Sequence, residues 1–253
     1  MDNKELHYLL ANVENKIEIA VRRNMPIHTK FYNLAEQHHI ENMLRGMDEI
    51  KYNRLGGYEK AERCIFAIYP ILLEYDLYYL EPIKVVKINW NDDYYNIGHR
   101  DILGAILGLG IEREVLGDII VNKNNAYVFV IDNMIRYISE NLSQVGSAFV
   151  STECLGISDI QIKVVPPKII ASVVPSLRLD CIISAGFKMS RTKSTNLIRE
   201  GRVLLNWNPC HKPGRAIDPG DVITIRGMGR IRFIDTVRIT QRDNLYIEIE
   251  IYK

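Results

Sequence analysis

The chain has 253 residues, with 32 Lys and Arg against 31 Asp and Glu, and 47% hydrophobic and 25% charged side chains. That length holds two domains with room for a small third piece, and the composition excludes a disordered or fibrous chain. No apolar run approaches the roughly 20 residues of a membrane span; the nearest, Cys64 to Leu73, is broken by Pro70.

In chain order, residues 4–23 carry Leu6, Leu9, Leu10, Val13, Ile17 and Ala20 at helical spacing, and Pro26 ends that helix. The N-terminus, M-D-N-K-E-L, has no charged-then-apolar signal pattern, so a cytoplasmic protein is expected. Phe31 to Arg45 reads as a second helix closing at Gly46. Its His38 and His39 are adjacent rather than four apart, so they do not face one metal, and no metal site is expected. Gly56-Gly57 marks a turn before a strand over Arg63 to Tyr69. The cysteines, Cys64, Cys154, Cys181 and Cys210, form no C-x-x-C pair. They read as buried thiols in a reducing compartment rather than a zinc site or disulfide framework.

The middle of the chain is more patterned. Ile83 to Trp90 reads as a strand and His99 to Leu109 as a helix. Leu116 to Val121 and Ala126 to Ile131 read as a hairpin turning at N-K-N-N, followed by a helix from Asp132 to Leu142 and a strand from Gly146 to Cys154. The order β-α-β-β-α-β is the split βαβ arrangement of ferredoxin-like and RNA-recognition-motif folds. Such a motif stacks bases on aromatics within a K/R-G-F/Y-G/A-F-V-x-F/Y strand. The equivalent strand here is N-A-Y-V-F-V-I-D, in which Tyr127 and Phe129 alternate but the basic residue and glycine are missing. These aromatics are therefore read as core, or as covered by the N-terminal helices. Gly104 and Gly108, four apart, are expected to let their helix pack closely on the sheet; their spacing is not a dinucleotide fingerprint. Arg100 and Asp101 are candidate caps, with His99 and Arg100 a candidate second contact to RNA. Asp92-Asp93 reads as a solvated turn rather than an acid/base pair.

Ile160 to Ala171 crosses Pro166-Pro167 as a strand-like linker. Ser176 to Gly186 then reads as a short helix, with Ser176 as N-cap and Gly186 as its left-handed end; Ser190 and Gly201 bracket a second. Arg191, Thr195, Arg199 and Arg202 fall at offsets of 4, 8 and 11, one narrow stripe at about 100° per residue. Guanidinium and hydroxyl groups in that pattern suit phosphate oxygens, and the same pattern also describes a solvated helix face. Strands over Val203 to Asn206, Asp221 to Arg226, Arg230 to Ile239 and Tyr246 to Tyr252 make a small sheet behind the helix pair. Charge favours the phosphate reading. Residues 177–232 carry 11 Lys/Arg and 4 Asp/Glu (+7), residues 1–176 carry 18 and 23 (−5), and the last 21 carry 3 and 4 (−1). A basic module on an acidic body is the footprint of nucleic-acid binding confined to one place.

Catalytic motifs find little support. K-M-S-R-T-K-S at 188–194 resembles the ATP loop of class I aminoacyl-tRNA synthetases, but Asn96-Ile97-Gly98-His99 lacks the first histidine of the partner motif. There is no G-x-S-x-G. The reading is a monomeric RNA-binding protein without cofactor, small-molecule substrate or membrane contact.

The basic module also carries a resemblance. S-L-R-L-D, S-R-T-K-S, L-I-R-E-G-R-V-L-L-N-W and G-D-V-I-T-I-R-G-M-G-R, between Ser176 and Arg232, resemble the RNA-binding domain first described in ribosomal protein S-four, the alpha-L motif. With G-H-R-D-I-L-G and G-L-G-I-E-R-E-V-L-G-D-I ahead of it in residues 98–119, the chain resembles the YlmH family of bacterial proteins. The resemblance implies an α+β chain in three parts: an N-terminal helical region with a strand over 1–75, an RNA-recognition-motif-like domain over 76–172, and an alpha-L domain, helix pair plus small β-sheet, over 173–253. It implies no catalysis, binding to ribosomal RNA and peptidyl-tRNA on the large ribosomal subunit, a part in the rescue of stalled nascent chains, and a link to cell division. The implied RNA contacts are Arg178, Lys188, Arg191, Lys193, Ser194, Thr195, Arg199 and Arg202, with Lys212 and Arg215 in the following loop. Two alternatives stay open. One is an RNA-modifying enzyme of pseudouridine-synthase type, although Asp180 is not followed by that family's catalytic segment. The other is a cell-division scaffold that binds proteins through the acidic body.

Overall fold

A computed structural model describes residues 3–73, 82–91, 94–162 and 167–252; Asp92-Asp93 lies outside them. The chain forms two compact units, Met1–Lys163 and Val164–Lys253.

The first unit opens with α1 (Asn3–Arg23), β1 (Ile27–His28), α2 (Leu34–Leu44), β2 (Ile50–Leu55) and β3 (Ile65–Pro70). Leu9, Val13, Ile17 and Ala20 recur every three to four residues of α1, and all four are buried in one core with Phe66 and Ile68 of β3. The second helix starts at Leu34 rather than Phe31, because Asn33 caps it. Asn33 Oδ1 accepts from the N–H groups of Ala35 and Glu36 at 2.9 and 3.1 Å, and Glu36 Oε2 accepts from the Asn33 N–H at 2.7 Å. That reciprocal pair satisfies orphan helix donors. The strands pair antiparallel in the order β1-β3-β2. Strand β2, I-K-Y-N-R-L, escapes the sequence reading because its local pattern is polar; pairing along β3 supplies what the pattern does not.

The unit continues with β4 (Ile83–Asn89), α3 (His99–Gly108), β5 (Leu116–Val121), β6 (Asn125–Ile131), α4 (Ile135–Asn141), a ribbon of β7 (Gln144–Val145) and β8 (Ala148–Phe149), and β9 (Ser151–Leu155). The sheet order β5-β6-β4-β9, antiparallel throughout, is the topology expected of the split βαβ order. Ile102, Ile106 and Ile138 of the two helices fill one face of the sheet with Val86, Ile88, Val128 and Val130. Gly104 and Gly108 do not serve that packing. Both are exposed, and a Cβ at either would meet nothing within 4 Å.

The opposite face of this sheet is also filled. Phe31 and Ile65 pack with Ile83, Val85 and Phe129, all at most 1% exposed. The Tyr58 ring lies 5.3 Å from that of Phe129, and Tyr127 is half-buried in the same cluster. A Cβ on Gly57, at φ +87°, would fall 2.4 Å from the Phe129 ring. The cover is thus Phe31 and the Gly57-Tyr58 turn, rather than the N-terminal helices.

A polar seam locks it there. The β-bulge between Leu116 and Ile119 places Gly117 where a Cβ would sit 2.8 Å from the Phe31 ring. Arg63 donates through Nε to the Leu116 carbonyl and through Nη2 to the Phe31 carbonyl, both at 2.9 Å. Arg113 Nη1 donates to the carbonyls of Leu116 and Gly117 at 2.6 and 3.2 Å. Asp118 accepts from the Tyr58 hydroxyl at 2.8 Å and from the N–H groups of Glu62 and Arg63 at 2.7 and 3.1 Å. Burial, reinforced by the charge of Arg63, pushes the Arg113 guanidinium down to about 10.

The second unit holds β10 (Lys168–Val174), α5 (Leu179–Gly186), α6 (Arg191–Arg199), β11 (Val203–Leu205), β12 (Asn208–Pro209), β13 (Val222–Ile225), β14 (Gly229–Ile239) and β15 (Leu245–Tyr252). The order is β10-β15-β14-β13-β11-β12. What read as a linker supplies β10, paired with β15 along its whole length. Ile182, Ile183, Leu197 and Ile198 seat the helix pair on Ile223, Ile231, Phe233 and Ile249. Gly186 is not the left-handed end of α5; a Cβ there would meet Ile231 Cδ1 at 2.5 Å, so glycine allows helix and strand to approach. The four cysteines are unpaired. Cys64 and Cys181 are buried as expected, but Cys154 is exposed and Cys210 half-buried.

Candidate nucleic-acid interface

The cationic face of the second unit is built on two helix ends. Lys188, at φ +52°, is the left-handed residue after α5, and the Met189 N–H closes the turn on the Ser184 carbonyl at 3.1 Å. Ser190 then caps α6, its Oγ accepting from the Lys193 N–H at 3.2 Å. At the far end Gly201, φ +69°, bonds to the Ile198 carbonyl and Arg202 N–H to that of Leu197, each at 3.1 Å. That is the Schellman closure the glycine predicts. The N-cap of α5 is Arg178, without a side-chain cap; the hydroxyl of Ser176, the expected cap, instead lies 3.7 Å from Cys181 Sγ.

Asp180 organises the face. Its side chain is 5% exposed and accepts from Arg178 Nε and Nη2 at 3.1 and 3.4 Å and from Arg191 Nη2 at 2.7 Å. Burial pushes this carboxyl up, and the hydrogen bonds and charges of the two arginines more than offset it, holding it below the ordinary carboxylate range. Both arginines remain about half exposed, at 47% and 53%. The loop of Lys212 and Arg215 is tied to the same place. The N–H groups of Leu179 and Asp180 donate to the carbonyls of Arg215 and Pro213 at 2.8 and 3.0 Å. Gly214 lies against the Arg178 guanidinium, where a Cβ would come within 3.4 Å of Cζ.

The structure sorts the expected contacts. Arg178, Lys188, Arg191, Lys193, Arg199, Arg202, Lys212 and Arg215 are exposed. Thr195 is half-buried. Ser194 is corrected: it is 0% exposed, and its hydroxyl donates to the Ser190 carbonyl at 3.1 Å, so it cannot reach a ligand. Arg202 lies past the end of α6 rather than completing the helical stripe, and its Nη2 reaches the Arg226 carbonyl at 3.4 Å. In the first unit, His99 and Arg100 are exposed at the start of α3, which Asp101 caps by accepting from the Gly98 N–H at 2.8 Å. Asp180 as the hub is what the sequence reading missed. The available signal was an acid between Leu179 and Cys181, inside a module of opposite charge. Among the described residues, no group of three or more His, Cys, Asp or Glu side chains is placed to hold a metal, and no helix is long and apolar enough to cross a membrane.

Three family models match in series: "YlmH, N-terminal" over residues 7–71, "Putative RNA-binding domain in YlmH" over 81–159, and "S4 domain" over 177–223. A curated relative, ribosome-associated protein quality control protein P2 of Bacillus subtilis (strain 168), is 29% identical over 222 residues, covering 88% of this chain and 86% of the relative. The solved structure of cell division protein ylmH from Streptococcus pneumoniae superposes with a TM-score of 0.54 at 19% identity, over 63% of this chain and 96% of that one. At that identity the likeness concerns the fold. With both YlmH-specific models and the S4 domain in this order, the chain belongs to the YlmH family.

Proposed function

We propose that the protein is a non-catalytic, cytoplasmic RNA-binding factor that docks as a monomer on structured RNA of the large ribosomal subunit, beside peptidyl-tRNA, in the quality control of stalled nascent chains. The observation that carries this reading is the exposed set of Arg178, Arg191, Lys193 and Arg199 on a rigid helix pair, with Lys212 and Arg215 on a loop bonded to it. Guanidinium groups on fixed backbone suit phosphates of folded RNA, which proteins read largely by shape. One of the family models it matches is named for RNA binding, and the relative's name supplies ribosome-associated quality control. The link to cell division is the outer part of the proposal, and the pneumococcal neighbour's title is its support.

If about five phosphates are neutralised, log affinity should fall against log salt with a slope of roughly −3.5 to −4.5. Reversing charge with Arg191→Glu and Arg199→Glu together should abolish co-sedimentation with the large subunit, and Lys193→Glu with Arg199→Glu, which leaves the bonds of Asp180 in place, should do the same while circular dichroism stays unchanged. Full retention by either variant would sink the reading. Recovery of division proteins after nuclease treatment, without RNA beforehand, would favour the scaffold instead.

A further inference from the structure

We infer that Asp180 is the positioning residue of the RNA face: its carboxylate holds Arg178 and Arg191 as one clamp for a backbone phosphate whose place is fixed by RNA folding. This rests on the RNA-binding reading above and adds to it a selectivity for folded over flexible RNA.

The geometry points this way because the acid is inside and the bases are outside. The Asp180 side chain is 5% exposed, whereas those of Arg178 and Arg191 are 47% and 53% exposed. Arg178 presents an Nε and Nη2 fork to the carboxylate, and Arg191 a single Nη2, which leaves N–H donors of both guanidinium groups turned to solvent. Arg178 precedes α5 and Arg191 opens α6, so one carboxylate fixes side chains from two helices. Gly214, which has no side chain, lets its loop lie against the Arg178 guanidinium, where a Cβ would come within 3.4 Å. Long arginines otherwise lose rotamer freedom on binding; here folding has already taken that cost. A flexible single strand can adapt to unplaced arginines, but a folded RNA cannot.

Simple electrostatics and positioning predict opposite signs. Asp180→Asn removes a negative charge from a basic face, which by charge alone tightens RNA binding. Positioning instead predicts about a tenfold loss on a folded ribosomal RNA fragment, from two side chains that must now be ordered on binding. Poly(U) should bind equally or more tightly, and the salt slope should not fall. Measured by filter binding on full-length protein, equal or tighter binding of D180N to the folded fragment overturns the inference and leaves RNA binding intact. Failure of the wild type to bind either RNA overturns both. Arg178→Ala with Arg191→Ala gives a background in which D180N should cost nothing further on folded RNA; a continuing loss there shows a structural role instead. Should D180N not fold, Arg178→Lys, which keeps the charge but not the fork on Asp180, must lower affinity for the folded fragment more than for poly(U).

Discussion

In the first unit, Arg63 and Arg113 turn their guanidinium groups inward and spend them on the carbonyls of Phe31, Leu116 and Gly117. In the second, Arg178 and Arg191 meet at Asp180 and keep about half of each side chain in solvent. Each pair has a carboxylate beside it. Asp118 is satisfied by a tyrosine hydroxyl and two backbone N–H groups, Asp180 by the arginines themselves. The first arrangement closes a sheet face and the second displays a charged one. A local count of arginines cannot tell them apart; what each guanidinium is bonded to can.

The largest expected effect comes from breaking the closed face. Gly57→Ala puts a methyl 2.4 Å from the Phe129 ring at φ +87°. Backbone strain and overpacking together should cost about 2–4 kcal/mol. Each unit contains one of the two tryptophans, Trp90 in the first and Trp207 in the second, so single-tryptophan variants report the two melts separately. The Trp90 transition should fall while the Trp207 transition and RNA binding stay in place. An unchanged Trp90 melt would mean that the turn does not seal the sheet.

Acid should sharpen the contrast between the two carboxylates. Burial raises Asp118 above its ordinary value, and the Tyr58 and backbone hydrogen bonds only partly offset it. A raised carboxyl contributes stability below its unfolded pKa of about 3.9, lost as pH rises through the folded value. Asp180 is depressed, so its contribution is present above that pH and is lost as pH falls through its folded value. From pH 6 to 3, the first unit's melt should therefore rise relative to Asp118→Asn, and the second's should fall relative to D180N. Parallel pH profiles for the two differences would contradict the assignment.

Much of the architecture was legible in sequence, and the failures have a common cause. The 3.6-residue pattern of Leu9, Val13, Ile17 and Ala20 and the β-α-β-β-α-β order carry over to the structure, because burial of a periodic face is a local property. Gly186 misleads because glycine serves close approach as well as positive φ, and here it serves the first. Ser194 misleads because a serine four residues after Ser190 can bond back to its carbonyl and turn inward. The exposed Gly104 and Gly108 have no packing reason in the structure. The roles of Asp180 and Asp118 depend on partners 11 and up to 60 residues away in sequence, which no local pattern records.

The smallest effect tests whether the open face is bought with strain. Lys188 holds φ +52°, a conformation that costs a side-chain-bearing residue about 1 kcal/mol relative to glycine. Lys188→Gly should therefore raise the Trp207 melt slightly, by up to about 1 kcal/mol, while lowering the salt slope by roughly 0.7–0.9, the share of one phosphate. Stability and binding would then move in opposite directions at one residue. That combination separates a lysine kept for its charge from one tolerated in a turn, since a merely tolerated lysine would give the stability gain with the salt slope unchanged.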